Sequence, residues 1–164
     1  MARWRKNISV ATIAILGGGA VTIWAANAAV EPFAQLAGTW SGGGRAYMED
    51  GSVEPIRCRA HYDVGEGGRA LHQDLRCASA STALDVQSDD KDRGGKISGT
   101  WIELSRNVGG ELSGIATGRR ILAEVRGENF AANLSIVTDR DKQSIVIAPE
   151  GSNVRQVAIS LRRR

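Results

Sequence analysis

The sequence predicts an all-β fold: a single antiparallel up-and-down β-barrel of about 8–10 strands, placed after an N-terminal signal peptide. Three observations predict it. Short runs of alternating apolar and polar residues recur along the chain, separated by Gly-, Asp- and Asn-rich turns. No apolar stripe with a helical period reaches a convincing length. Nearly every connection is short enough for sequential strands to lie side by side, which produces a meander that closes and hides its edges. A sandwich ordinarily needs some longer crossing connections, and few stretches are candidates for one.

Residues 1–28 read as the signal peptide. Arg3, Arg5 and Lys6 precede an apolar run from Ile8 to Trp24, and Ala26-Asn27-Ala28 offers the small residues that signal peptidase cleaves behind. The break at Gly17 to Gly19 and the Ala-rich exit favour cleavage over retention as a membrane anchor. Residues 29–164 then form one domain with its own core, in the periplasm or secreted, with no membrane contact after cleavage. Ala29 to Leu36 is a lead-in, either one helical turn or an extended arm.

Arg57 to Ala78 reads as a hairpin. Gly67-Gly68 suits the two central positions of a type I′ turn, and that choice sets Cys58 opposite Cys77, Ala60 opposite Leu75, Tyr62 opposite Gln73 and Val64 opposite Leu71 on the inner face. The outer face then carries Arg59 opposite Arg76, His61 opposite Asp74, Asp63 opposite His72 and Glu66 opposite Arg69. A non-hydrogen-bonded cross-strand pair of cysteines is close enough to bridge, and two cysteines in an exported chain are expected to pair, so Cys58–Cys77 is the expected disulfide. The opposed arginines are unfavourable unless a diagonal carboxylate such as Asp74 relieves them.

The other strands follow the same alternation: Ala37 to Met48, Val53 to Val64 after an Asp-Gly turn, Ala83 to Ser88, Lys96 to Leu104, Glu111 to Thr117, Arg120 to Arg126, Asn129 to Thr138, Gln143 to Pro149 and Val154 to Arg162. Asp89 to Gly95 reads as a polar, solvated turn. Tyr62, Leu71, Leu75, Trp101, Leu112, Ala116, Ala123, Phe130, Ala132 and Leu134 are the expected inward residues. A barrel lined so often by small residues is either filled or keeps a pocket for one ligand, and Trp40, Tyr62, Trp101 and Phe130 are the side chains expected to contact it.

Charge excludes some functions. The signal holds three of the 21 Lys and Arg residues and none of the 18 Asp and Glu residues, leaving 18 of each beyond it. No broad basic surface for nucleic acid or anionic lipid follows, and Arg162-Arg163-Arg164 reads as a solvated tail. His61, Asp63, His72 and Asp74 share one outer patch and could ligate a divalent metal, but cross-strand charge pairing on a convex surface accounts for them, and no metal or other cofactor is expected. Asp89, Asp90 and Asp92 are interrupted by Lys91 and Arg93 and lack the later glutamate of a calcium loop. Ser41 lacks the spacing and following helix of a hydrolase nucleophile, and Gly42 to Gly44 more simply allow strong strand bending. No nucleophile, base and orienting group converge, so an enzyme is not expected.

Leu36-Ala37-Gly38-Thr39-Trp40 is echoed by Ile97-Ser98-Gly99-Thr100-Trp101. The first copy resembles the G-x-W of lipocalins and avidins, which implies a ring closing one end of a barrel. GTWSGGGR, IRCRAHY, LRCASAS and ISGTWIE together resemble small exported proteins of alphaproteobacteria, rhizobial ones in particular, a resemblance that implies no activity. Gly38-Thr39-Trp40 and the cysteine pair also resemble periplasmic inhibitors of alkaline metalloproteases, whose N-terminal arm enters the protease cleft. The expected function is therefore non-enzymatic binding of a small apolar ligand in the barrel, the alternative being a periplasmic module that binds a protein partner such as a protease.

Overall fold

The computed structural model describes residues 31–164; the signal-peptide reading and the start of the lead-in lie outside them. Ten antiparallel strands follow one another: β1 Gly38–Met48, β2 Val53–Gly65, β3 Ala70–Ala78, β4 Ala83–Arg93, β5 Lys96–Glu103, β6 Val108–Thr117, β7 Arg120–Gly127, β8 Phe130–Asp139, β9 Lys142–Glu150 and β10 Val154–Arg163. Each pairs with the next, and β1 pairs with β10 to close the barrel. Closure brings β1 and β10 tightly together at the Gly-rich stretch: a Cβ on Gly42 would lie 2.0 Å from the Ser160 carbonyl oxygen, and one on Gly44 2.0 Å from that of Ala158. Glycine is required there by the close backbone approach.

The β2–β3 register is the expected one, from Arg57 opposite Ala78 to Val64 opposite Leu71, and a Cys58–Cys77 disulfide joins the strands. The turn differs. Gly65 opposite Ala70 is the last pair, so the loop has four residues, and the positive φ values of 63° and 90° expected at Gly67 and Gly68 are joined by one of 49° at Glu66. Both loops share one midpoint, which is why the register is unchanged. Gly68 serves another contact: its carbonyl accepts from the Phe33 amide at 3.3 Å, tying the lead-in to this loop.

Two other expectations are corrected. Asp89 to Gly95 is not a solvated turn, because β4 continues to Arg93 and sends Ser88, Asp90 and Asp92 inward to burial. Its charged residues conceal an ordinary strand alternation. Nor is the C-terminus a solvated tail: β10 runs through Arg163, Arg162 lies 3.7 Å from Asp141, and the Arg164 amide donates to the Thr39 carbonyl at 2.9 Å.

One end of the barrel is plugged. Glu31 to Leu36 forms a turn held by the Ala34 amide on the Glu31 carbonyl and the Leu36 amide on that of Phe33, burying Phe33 and Leu36. The Trp40 indole donates to the Leu36 carbonyl at 2.6 Å, while the Arg163 guanidinium stacks 4.4 Å from the ring centroid and donates to the carbonyls of Ala37 and Gln35. Deeper in, the Tyr62 hydroxyl donates to Gln143 Oε1 at 2.9 Å and Gln143 Nε2 to Thr138 Oγ1 at 3.3 Å, three buried groups satisfying one another. Burial holds the Tyr62 phenol well above its ordinary pKa.

Candidate functional site

The two Gly-Thr-Trp copies meet different fates. In the first, the turn before β1 delivers the Leu36 carbonyl to the Trp40 indole four residues on. In the second, the residue four positions earlier is Ile97, already inside β5 and engaged in the ladder with Gly114. Trp101 is only 9% exposed, and its Nε1 has no hydrogen-bond partner among the described residues. Its ring joins Val125 and Ala132 in a second apolar cluster and meets Phe130 edge-on, with centroids 5.6 Å apart. Phe130 itself stands at the end of β8, 38% exposed.

Ser88 pairs with Trp101, and two residues along β4 Asp90 pairs with Gly99. Asp90 is 5% exposed. Its Oδ2 accepts from the Ser88 hydroxyl at 2.8 Å, while Oδ1 has no partner among the described residues. The carboxyl lies across Gly99, where a Cβ would come within 2.1 Å of Oδ1. Burial pushes the Asp90 pKa up to about 6, against the Ser88 hydrogen bond that lowers it, with the Asp89 charge raising it further.

The other two buried carboxylates on β4 and β5 have structural duties. Asp92 accepts from the Gly95 amide at 2.8 Å and so holds the β4–β5 turn. Glu103 accepts from the amides of Asp85, Ser105 and Arg106, at 3.1, 3.2 and 2.7 Å. Burial opposes its charge, but these amides prevail and hold its pKa below the ordinary carboxylate value. Asp90 therefore stands apart as the buried inward carboxyl with an unused oxygen.

Of the four expected ligand contacts, Trp40 and Tyr62 lie at the plugged end with their polar atoms satisfied, whereas Trp101 and Phe130 lie together. Asp90 was hidden from sequence reasoning by the turn assignment; the alternation Ser88, Asp90, Asp92 between Lys91 and Arg93 was the signal available. The histidine patch is on the exterior. His61 Nε2 lies 3.3 Å from Asp63 and its Nδ1 3.1 Å from Thr39 Oγ1, while His72 Nδ1 lies 2.8 Å from Asp89, which raises the His72 pKa. Asp74 Oδ2 lies 3.7 Å from His72 Nε2, and its Oδ1 accepts from Gln87 at 2.7 Å. Among the described residues no group of three or more His, Cys, Asp or Glu is arranged to hold a metal ion.

A broad concave surface does not coincide with this interior pair; it lies on the outer face of β1–β4. No protein-family model matches the chain, and no curated protein matches it in sequence. Among solved structures, the S-type phycobiliprotein lyase CPES from Guillardia theta is similar in fold, with a TM-score of 0.58 and 12% identity over 80% of this chain and 89% of that one.

Proposed function

We propose that the chain is a binding protein that takes a small, mostly apolar ligand into the barrel, where a polar group of the ligand meets Asp90 and Trp101. One observation carries the reading: a buried indole N–H on β5 and a buried carboxyl oxygen on the adjacent β4 are both left without partners among the described residues, while the other buried polar side chains of the interior are satisfied by the protein itself. Each such group costs about 1–3 kcal/mol when unsatisfied, so a ligand that satisfies both gains affinity as well as orientation. Ten strands also enclose a wider interior than the eight that suffice to hold one small ligand. Below about pH 6 Asp90 is protonated and both groups donate, which suits a ligand carbonyl; above it, the carboxylate accepts from a ligand N–H or O–H.

The likeness to a phycobiliprotein lyase raises catalysis as a second reading; both histidines face outward, so proton transfer in the interior would fall to Asp90, and the same Asp90 variants test it. The protease-inhibitor alternative needs a free arm, and Phe33 and Leu36 are buried against the chain's own barrel. The disulfide suits an oxidising compartment and so supports export, and among the described residues no helix is long and apolar enough to cross a membrane.

Titration at about pH 5, where Asp90 is protonated and donates, with Nile red, an uncharged apolar dye with a carbonyl acceptor, tests the reading by its fluorescence. The expected result is saturable binding that weakens about tenfold, the loss of one well-made hydrogen bond, in Trp101→Phe and in Asp90→Leu. Binding that neither substitution alters would overturn the assignment to this pair.

A further inference from the structure

We propose that the outer face of β1–β4 carries a second binding site, a groove for a small anion bearing two or more negative charges on phosphate or carboxylate groups. Because Cys58 and Cys77 point inward, their strand neighbours Arg57, Arg59 and Arg76 point outward. Arg164 joins them from the chain end, its backbone amide on the Thr39 carbonyl and its Nε on Ser41 Oγ. The four arginines line a concave groove of about 1290 Å³.

The charge there is only partly compensated. Asp85 is the single carboxylate side chain in the lining, and it takes Arg76 Nε at 3.0 Å, so Asp85 rather than Asp74 relieves that arginine. Among the described residues, Arg57 and Arg59 have no carboxylate within ion-pair distance, although residues 29–164 carry as many Asp and Glu as Lys and Arg. Arg59 is directly opposite Arg76, a like-charge pair that destabilises a sheet unless something neutralises it. Opposed Cα atoms lie about 5 Å apart, so both guanidiniums act on one bound anion, and the attraction grows with the charge that anion carries. Guanidinium forks stay charged and match oxyanions in pairs. Dependence on ligand valency is therefore the signature of the site.

Calorimetric titration of the purified protein with inorganic phosphate, pyrophosphate and tripolyphosphate at matched ionic strength tests it, and citrate distinguishes a carboxylate from a phosphate preference. The expected result is affinity that rises at least about tenfold from phosphate to the tightest polyvalent anion and falls at least about tenfold in the Arg57→Ala/Arg59→Ala double variant. Arg155→Ala, which removes an exposed arginine outside the groove, should leave binding unchanged. Absence of saturable binding by any of these anions, insensitivity to the double substitution, or an equal loss in Arg155→Ala would overturn the proposal. Binding of heparin alone would also overturn it, because that outcome assigns the groove to a polymer. All the substituted residues are exposed, and circular dichroism together with the intact disulfide verifies that the variants fold.

Discussion

At the residue scale, Asp90 makes stability depend on pH in a defined direction. Its carboxyl has a pKa near 3.8 when unfolded and about 6 when folded. Below about pH 4 it is protonated in both states and has no effect. Between those values the folded state binds the additional proton, so stability falls as pH rises; above about pH 6 the cost is constant at about 3 kcal/mol. Asp90→Asn should accordingly raise the urea midpoint at pH 7 and lose that advantage at pH 4. Tyr62→Phe leaves the Gln143 oxygen short of its donor and should cost about 1–3 kcal/mol in urea unfolding. Sequence reasoning reached Trp101 through its echo of Trp40, but burial rather than residue type gives Asp90 its character, and burial depended on a strand that a run of charged residues disguised.

At the element scale, the plug is built from both chain ends of the barrel. Arg163 stacks on Trp40 and also holds carbonyls of the lead-in, so Arg163→Ala should lower stability by about 2–3 kcal/mol in thermal or chemical unfolding. Arg162→Ala removes an exposed ion pair with Asp141 and should cost less than about 1 kcal/mol. The contrast was not legible in Arg162-Arg163-Arg164, since only closure of the barrel brings Arg163 over Trp40. By contrast, the β2–β3 register was legible from Arg57–Ala78 to Val64–Leu71, because a disulfide-capable pair, an alternating inner face and a glycine midpoint all require the same alignment; the expected Glu66–Arg69 pair instead falls in the loop. Reduction of that bridge should cost roughly 3 kcal/mol by the chain-entropy model, measurable as a shift in the urea midpoint with reductant.

At the scale of the whole molecule, the meander was readable because short turns leave each strand no neighbour but the next, and ten strands with a closing β1–β10 pair are what results. What the barrel encloses was less readable: alternation identifies which residues face inward but not which polar atoms find partners there. Among the described residues the interior combines a satisfied, plugged end with a pair of unsatisfied groups on β4 and β5, and the proposed function rests on the second. Non-reducing native mass spectrometry of the protein recovered from cells that express residues 1–164 tests that proposal most directly. A disulfide-bonded chain carrying a small-molecule adduct that is lost from Asp90→Leu and retained by Arg57→Ala/Arg59→Ala is the predicted result. A folded chain with no adduct, or an adduct indifferent to Asp90, would contradict it.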